Sequence, residues 1–251
     1  MALGAPALAQ GARGKVVVVG GGFGGATCAR ALHRAGLAVA LAEPDSTYTA
    51  CPFSNAVITG LRGLEEQRFG YEALRREGVA VVHQAAIAID AQARRVTLAD
   101  GTDLRYERLV LAPGIDLRFD ALPGYDARAA EIMPHAWRAG EQTETLRRQL
   151  EAMEDGGTVV MSVPTNPYRC PPGPYERASL VANYFKQHKP KSKVLILDAK
   201  ETFSKQRLFQ TAWSELYPGM IEWVSLSSGG KVTEVDPATR TFVTEFGEHK
   251  A

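Results

Sequence analysis

Lys15-Val-Val-Val-Val-Gly20-Gly21-Gly22-Phe23-Gly24-Gly25-Ala26 joins an apolar strand to a glycine turn and then to a helix. This order reads as a dinucleotide cradle. Gly20 permits the tight turn, Gly22 lets the backbone approach a pyrophosphate, and Gly25 allows the helix to pack closely on the strand. The helix N-terminus offers unpaired N–H groups and the positive end of its dipole to the phosphates. Glycines alone would be weak grounds, but a second apolar strand, Leu37 to Ala42, follows and ends at Glu43. An acidic side chain placed there can hydrogen-bond ribose hydroxyls.

Working outward, the 251 residues carry a formal net charge of +1 and 45% hydrophobic residues. A chain of that size can bury one large core or two smaller ones. Near-neutral charge without a basic stripe points away from nucleic acid and from anionic membranes. No apolar run reaches the ~18 residues that a bilayer span requires.

Residues 1–13 form a signal-like tail, in which Ala7-Leu8-Ala9 resembles an A-x-A cleavage site. The charged and most of the apolar portions of such a leader are absent, so the leader is expected to be truncated, with the mature chain starting near Gln10. A flexible alanine-rich tail is the other reading. Export would place the cysteines in oxidising surroundings. Of Cys28, Cys51 and Cys170, at least one is left unpaired within the chain. Cys28 lies on the first helix and is read as core packing.

Tyr48 to Arg62 holds Pro52 and several turn formers and is expected to be a loop near the nucleotide. Val79 to His83 reads as a strand, and Arg94–Leu98 and Leu104–Arg105 flank Asp100-Gly101, a hairpin signal. Leu109-Val-Leu-Ala-Pro113-Gly114 reads as a buried strand ending in a turn. Helical spacing over Ala136 to Met153, stopped by Gly156-Gly157, predicts a connecting helix. A second βαβ unit follows: strand Thr158–Ser162, helix Tyr175–His188, and strand Lys193–Leu197 ending at Asp198. The predicted architecture is α/β, with two Rossmann-like dinucleotide-binding domains and a small antiparallel insert: 14–133, a connecting helix at 134–156, and 157–251. The second unit lacks the glycine fingerprint. Val163 to Pro174 is proline-rich there, and prolines lack the N–H groups that a pyrophosphate needs, so no NAD(P)H binding is expected.

Four segments carry a resemblance: Tyr48-Thr-Ala-Cys51-Pro-Phe-Ser-Asn55, Pro134-His-Ala-Trp137-Arg-Ala-Gly-Glu-Gln-Thr143, Arg169-Cys170-Pro-Pro-Gly-Pro-Tyr-Glu176-Arg-Ala-Ser179, and Thr202-Phe-Ser-Lys-Gln206. Together they resemble the flavoprotein subunit of flavocytochrome c sulfide dehydrogenase, a relative of sulfide:quinone oxidoreductases among the disulfide-reductase-like flavoproteins. The resemblance implies FAD, attached covalently through the cysteine matching Cys51, and bound by a cradle that includes Gly20, Gly22, Gly25, Glu43 and Gly114. Cys170 matches the first of two cysteines that form a redox disulfide and receive the sulfide sulfur. Its partner is expected beyond Ala251, because the family is longer than this sequence. That missing portion also leads to an expectation of an exposed apolar edge and poor stability for the chain expressed alone. Glu176 matches the family's acid-base glutamate, a role that burial would favour by raising its pKa. From the residues alone, Cys51 is an ordinary loop thiol, Cys170 a thiol capping a turn and Glu176 a helix-N-terminal acid.

The remaining histidines, His33, His83, His188 and His249, show no metal-ligand spacing, so no metal site is expected. There is no C-x-x-C-H haem motif, so a c-type cytochrome would be a separate subunit. The resemblance implies periplasmic oxidation of sulfide to sulfane or elemental sulfur, with electrons passed to that cytochrome. Three rivals stay open: a sulfide:quinone oxidoreductase, a pyridine-nucleotide-dependent flavin reductase, and a truncated flavin-binding remnant without turnover. His135 and Trp137 are read as linker packing.

Overall fold

The structure is a computed structural model that describes residues 14–251; the signal-like tail and its A-x-A site lie outside them. The chain forms two compact units, one of residues 14–49 and 68–117, the other of residues 50–67 and 118–251.

In the first unit the valine run becomes the strand Lys15–Val19, which lies inside a four-stranded sheet. It pairs in parallel with Ala38–Ala42 on one side and Arg108–Leu111 on the other, and Ala80–Val82 completes the sheet. Such a strand is covered on both faces, which is why it reads as continuous apolar sequence and not as alternation. Val16, Val18, Val39 and Leu41 pack with Ala29, Tyr71 and Leu74 on one face. Val17 and Ala40 pack with Val96, Leu98 and Leu104 on the other. The helix Phe23–Arg34 makes the crossover.

The Asp100-Gly101 hairpin forms as expected, with Gly101 at a φ of +83° and the Thr102 N–H bonded to Asp100 Oδ1 at 2.9 Å. It joins Arg95–Leu98 to Asp103–Arg105, and a further strand, Ala86–Asp90, enlarges the insert to three antiparallel strands.

The second unit repeats the parallel plan. Thr158–Val163, Lys193–Asp198 and Ile221–Val224 form a parallel sheet, and the helix Gly173–His188 crosses between the first two strands. Pro174 sits in the first turn of that helix, where its missing N–H costs nothing. Its Tyr175 and Phe185 are fully buried, as is Ile196 on the strand Lys193–Asp198. A three-stranded antiparallel sheet, Val232–Asp236, Thr241–Thr244 and Gly247–Lys250, follows.

Two sequence expectations need correction. Tyr48–Arg62 is not all loop: its first residues belong to the strand Thr47–Thr49, and Ser54–Ile58 is a short helix. The connecting helix begins at Glu141, not Ala136, and runs to Ala152. Ala136 adopts a left-handed φ of +48° and Gly140 a φ of +140°, so helical hydrogen bonding cannot start before them. Among the described residues, no helix is long and apolar enough to cross a membrane.

Candidate functional site

The glycine turn of the first unit is shaped for a ligand. Gly20 has a φ of +95°, and a Cβ there would run into the Ala112 carbonyl; a Cβ on Gly25 would strike the Gly20 carbonyl. These two glycines are demanded by the fold itself. Gly22 differs, because a Cβ there would meet only the Tyr48 ring at an ordinary 3.5 Å. Gly22 also starts the helix Phe23–Arg34 without a side-chain cap and with no acid in the first turn. The first N–H groups of that helix therefore suit a pyrophosphate.

Glu43 stands where the spacing put it. Its Oε2 accepts the Gly21 N–H at 2.6 Å and its Oε1 the Asp45 N–H at 3.0 Å. Carboxylate oxygens keep further lone pairs for ribose hydroxyls. Gly114 follows the strand end at a φ of +82° with open space around it. Tyr71 closes the back of the turn with a 3.1 Å bond from its hydroxyl to the Gly21 carbonyl. Burial and the nearby Glu43 push the Tyr71 phenol far above its usual pKa, so it stays protonated and available to donate to the Gly21 carbonyl.

In the second unit, the structure brings together the residues around Cys51, Glu176 and Trp137. Cys51 is half-buried, with Sγ 3.5 Å from the Trp137 carbonyl oxygen. Its own carbonyl accepts the Ser54 hydroxyl at 2.7 Å and the Ser54 N–H at 3.0 Å, which fixes the turn into the short helix. Phe53, at a left-handed φ of +70°, makes that turn sharp.

Cys170 is exposed and left-handed, at a φ of +59°. Its carbonyl accepts the Gly173 N–H at 2.9 Å. A Cβ on Gly173 would lie 3.2 Å from Cys170 Sγ and 3.5 Å from the Trp137 ring, so this glycine leaves room for both. Trp137 thus touches the Cys51 thiol through its backbone and borders the Cys170 site through its ring. Glu176 lies in the first turn of the helix Gly173–His188, as predicted, but it is exposed rather than buried. Its Oε1 accepts the Asn55 amide N–H at 3.0 Å.

Sequence reasoning missed the group that orders this cluster. Arg177 is buried at 5% exposure, and among the described residues its guanidinium donates to no carboxylate. Its Nε donates to Asn55 Oδ1 at 2.9 Å, and its two terminal nitrogens donate to the His135 and Ala136 carbonyls at 2.6 and 2.8 Å. The guanidinium stacks on the Trp137 ring, 3.5 Å from the centroid. Burial lowers its pKa, while Cys51 and Glu176 act the other way. Burial, Arg177 and Arg138 push His135 down to about 4, so the imidazole is neutral and its Nδ1 accepts the Trp137 N–H at 2.9 Å. His135 and Trp137, read as linker packing, are therefore the mount for a buried cation.

At the end of the strand Lys193–Asp198, Asp198 occupies the position equivalent to Glu43. It is fully buried. Tyr175 and Trp223 donate to Oδ2 at 2.6 and 2.9 Å, and Lys200 pairs with Oδ1 at 2.5 Å. Among the described residues, no three His, Cys, Asp or Glu side chains converge as metal ligands.

Residues 14–160 match the pyridine nucleotide-disulphide oxidoreductase family, and residues 143–251 match the central region of the sulfide dehydrogenase [flavocytochrome c] flavoprotein chain. Over 45 residues the chain is 53% identical to the sulfide dehydrogenase [flavocytochrome c] flavoprotein chain of Chlorobaculum thiosulfatiphilum, covering 17% of this chain and 94% of that curated sequence. The fold is similar to that of sulfide:quinone oxidoreductase from Aquifex aeolicus, at a TM-score of 0.70 and 20% identity over 95% of this chain and 56% of the other. It is also similar to putidaredoxin reductase in its covalent complex with putidaredoxin, at 0.69 and 21% over 96% and 57%. The chain thus spans a little over half the length of these solved relatives. The resemblance read from the motifs and the α/β class with parallel sheets are both borne out.

Proposed function

The chain belongs to the pyridine nucleotide-disulphide oxidoreductase family, a family of flavin enzymes, and on that premise we propose that it is the flavoprotein chain of a periplasmic sulfide dehydrogenase that passes electrons to a c-type cytochrome subunit. Trp137 carries this reading, because its carbonyl holds the Cys51 thiol while its ring borders Gly173 and Cys170.

The uncapped helix start at Gly22, the Gly20 turn and Glu43 hold the pyrophosphate and ribose of FAD, and Gly114 offers its backbone beside the strand end. When bound, the flavin would supply two-electron acceptance with one-electron return. Cys51 would tether the flavin as a thioether, the thiol being the strongest nucleophile in that turn: its S–H and one flavin C–H would give way to an S–C bond, with the electron pair passing into the flavin ring. Cys170, joined to a second cysteine as a disulfide, accepts the sulfur of hydrosulfide; one S–S bond breaks, one forms, and the released thiolate carries the electron pair onward. Glu176, exposed on the same helix start, takes the proton from hydrogen sulfide.

The test uses the protein expressed with its natural flanking sequence. Mass spectrometry of the denatured protein should find an FAD-sized increment on the Cys51 peptide, and sulfide should bleach the flavin, with cytochrome c restoring it. Flavin released on denaturation would remove the tether. A flavin that sulfide leaves oxidised would remove the reaction. Reoxidation by quinone but not cytochrome c would move the protein to the sulfide:quinone reading.

A further inference from the structure

Glu176 and Arg177 are neighbours in sequence, yet adjacent helical residues point about 100° apart and do not face each other. Asn55, from a different element, connects them. Arg177 Nε can only donate, so the amide atom facing it at 2.9 Å is Asn55 Oδ1. The Asn55 N–H₂ is then left to face Glu176 Oε1 at 3.0 Å, where a carboxylate oxygen accepts. Neither end can reverse. The amide is buried at 8% exposure, and Thr59 donates to the Asn55 carbonyl at 3.1 Å, so the short helix that carries it is also held. Arg177 in turn is locked by two backbone carbonyls and the Trp137 face.

We infer that Asn55 is a positioning residue for Glu176: it passes the fixed orientation of the buried Arg177 guanidinium to a carboxylate that is otherwise exposed. The inference rests on the proton-transfer role proposed above for Glu176. An exposed glutamate samples several rotamers and loses its aim at a reacting atom; a one-sided bond to a buried, oriented amide restricts it without burying it. The titratable groups facing this relay are Arg177, Cys51 and the neutral His135.

Asn55→Asp separates positioning from folding. The introduced carboxylate still accepts from Arg177 and neutralises it, so the fold survives, but it now faces Glu176 as a like charge and the two acids must share a proton. Glu176→Gln in the Asn55→Asp background restores a donor–acceptor pair with its direction reversed. Melting curves of the natural-length protein between pH 5 and 8, together with stopped-flow flavin reduction by sulfide, give the readout. In Asn55→Asp, the melting temperature should rise relative to wild type on going from pH 8 to pH 5, and the double variant should lose that dependence. Flavin reduction in Asn55→Asp should fall ~10- to 100-fold, mostly in kcat, with a new pH dependence.

A melting profile in Asn55→Asp that parallels wild type would overturn the coupling. Unchanged reduction kinetics with a changed melting profile would overturn the positioning role. If wild type itself is not reduced by sulfide, the proposed reaction fails, while the melting comparison still decides whether Asn55 orients Glu176.

Discussion

The Arg177 guanidinium lies against the Trp137 ring, 3.5 Å from its centroid, and every one of its hydrogen bonds goes to a neutral oxygen. Arginine tolerates this setting because its planar fork is weakly hydrated and can stack and donate at once.

Arg177→Met should therefore be costly, because it strands Asn55 Oδ1 and two carbonyls. We expect about 3 kcal/mol of lost stability, and about 2 kcal/mol for Arg177→Lys, which keeps the charge but not the fork. Urea unfolding at neutral pH measures both. Equal stability in all three proteins would show that the stack and fork contribute nothing.

His135 sets an acid limit. Its pKa is lowered from 6.5 to about 4 in the folded protein by burial and by Arg177 and Arg138. The unfolded chain therefore binds a proton that the folded chain refuses between those values, so stability declines as pH falls from about 6.5 to about 4. His135→Asn, which can still accept the Trp137 N–H, should flatten that decline in melting scans. An unchanged slope would assign the acid sensitivity to other groups.

Gly25→Ala and Gly22→Ala should part company. The first drives a methyl into the Gly20 carbonyl and should cost ~3 kcal/mol or more. The second meets only the Tyr48 ring at 3.5 Å, so stability should stay within about 1 kcal/mol. Its methyl would instead hold off the pyrophosphate and reduce FAD incorporation roughly tenfold. Melting temperature and bound-flavin absorbance, read on the same preparations, separate the two effects. Full flavin loading in Gly22→Ala would place the pyrophosphate elsewhere.

Asp198 accepts from Tyr175, Trp223 and Lys200 inside the second unit and is fully buried. Lys200→Met leaves that carboxylate without its cation and should cost ~3–5 kcal/mol, whereas combining it with Asp198→Asn should recover most of the loss. Since the carboxylate is already engaged and the Val163–Pro174 turn is short of N–H donors, millimolar NADH should leave the flavin oxidised. Bleaching by NADH would restore the pyridine-nucleotide reading.

The first unit was legible because its signals are local: four consecutive valines, a glycine turn, an acid at the end of the next strand, and Asp-Gly at the hairpin. Gly173–His188 was equally plain from its periodicity and its proline start. The short helix after Cys51 was hidden by Pro52 and by a tight turn in which the Ser54 hydroxyl reaches back to the Cys51 carbonyl. The late start of the connecting helix follows from Ala136, which gives up helical geometry so that two carbonyls can reach Arg177. No periodicity encodes that exchange. Asn55 and Arg177 looked like motif neighbours of Cys51 and Glu176, and only their pairing across more than a hundred residues shows what they do.

That separation matters during synthesis. Arg177 follows Asn55 by 122 residues, so at 5–20 residues per second the ribosome delivers the guanidinium roughly 6–24 s after the amide. Throughout that interval the segment carrying Cys51 lacks its arginine, and for the earlier part of it the Trp137 carbonyl as well. The surroundings of Cys51 are thus completed late in the life of the chain, and any chaperone that meets the protein earlier meets it with that thiol still unplaced.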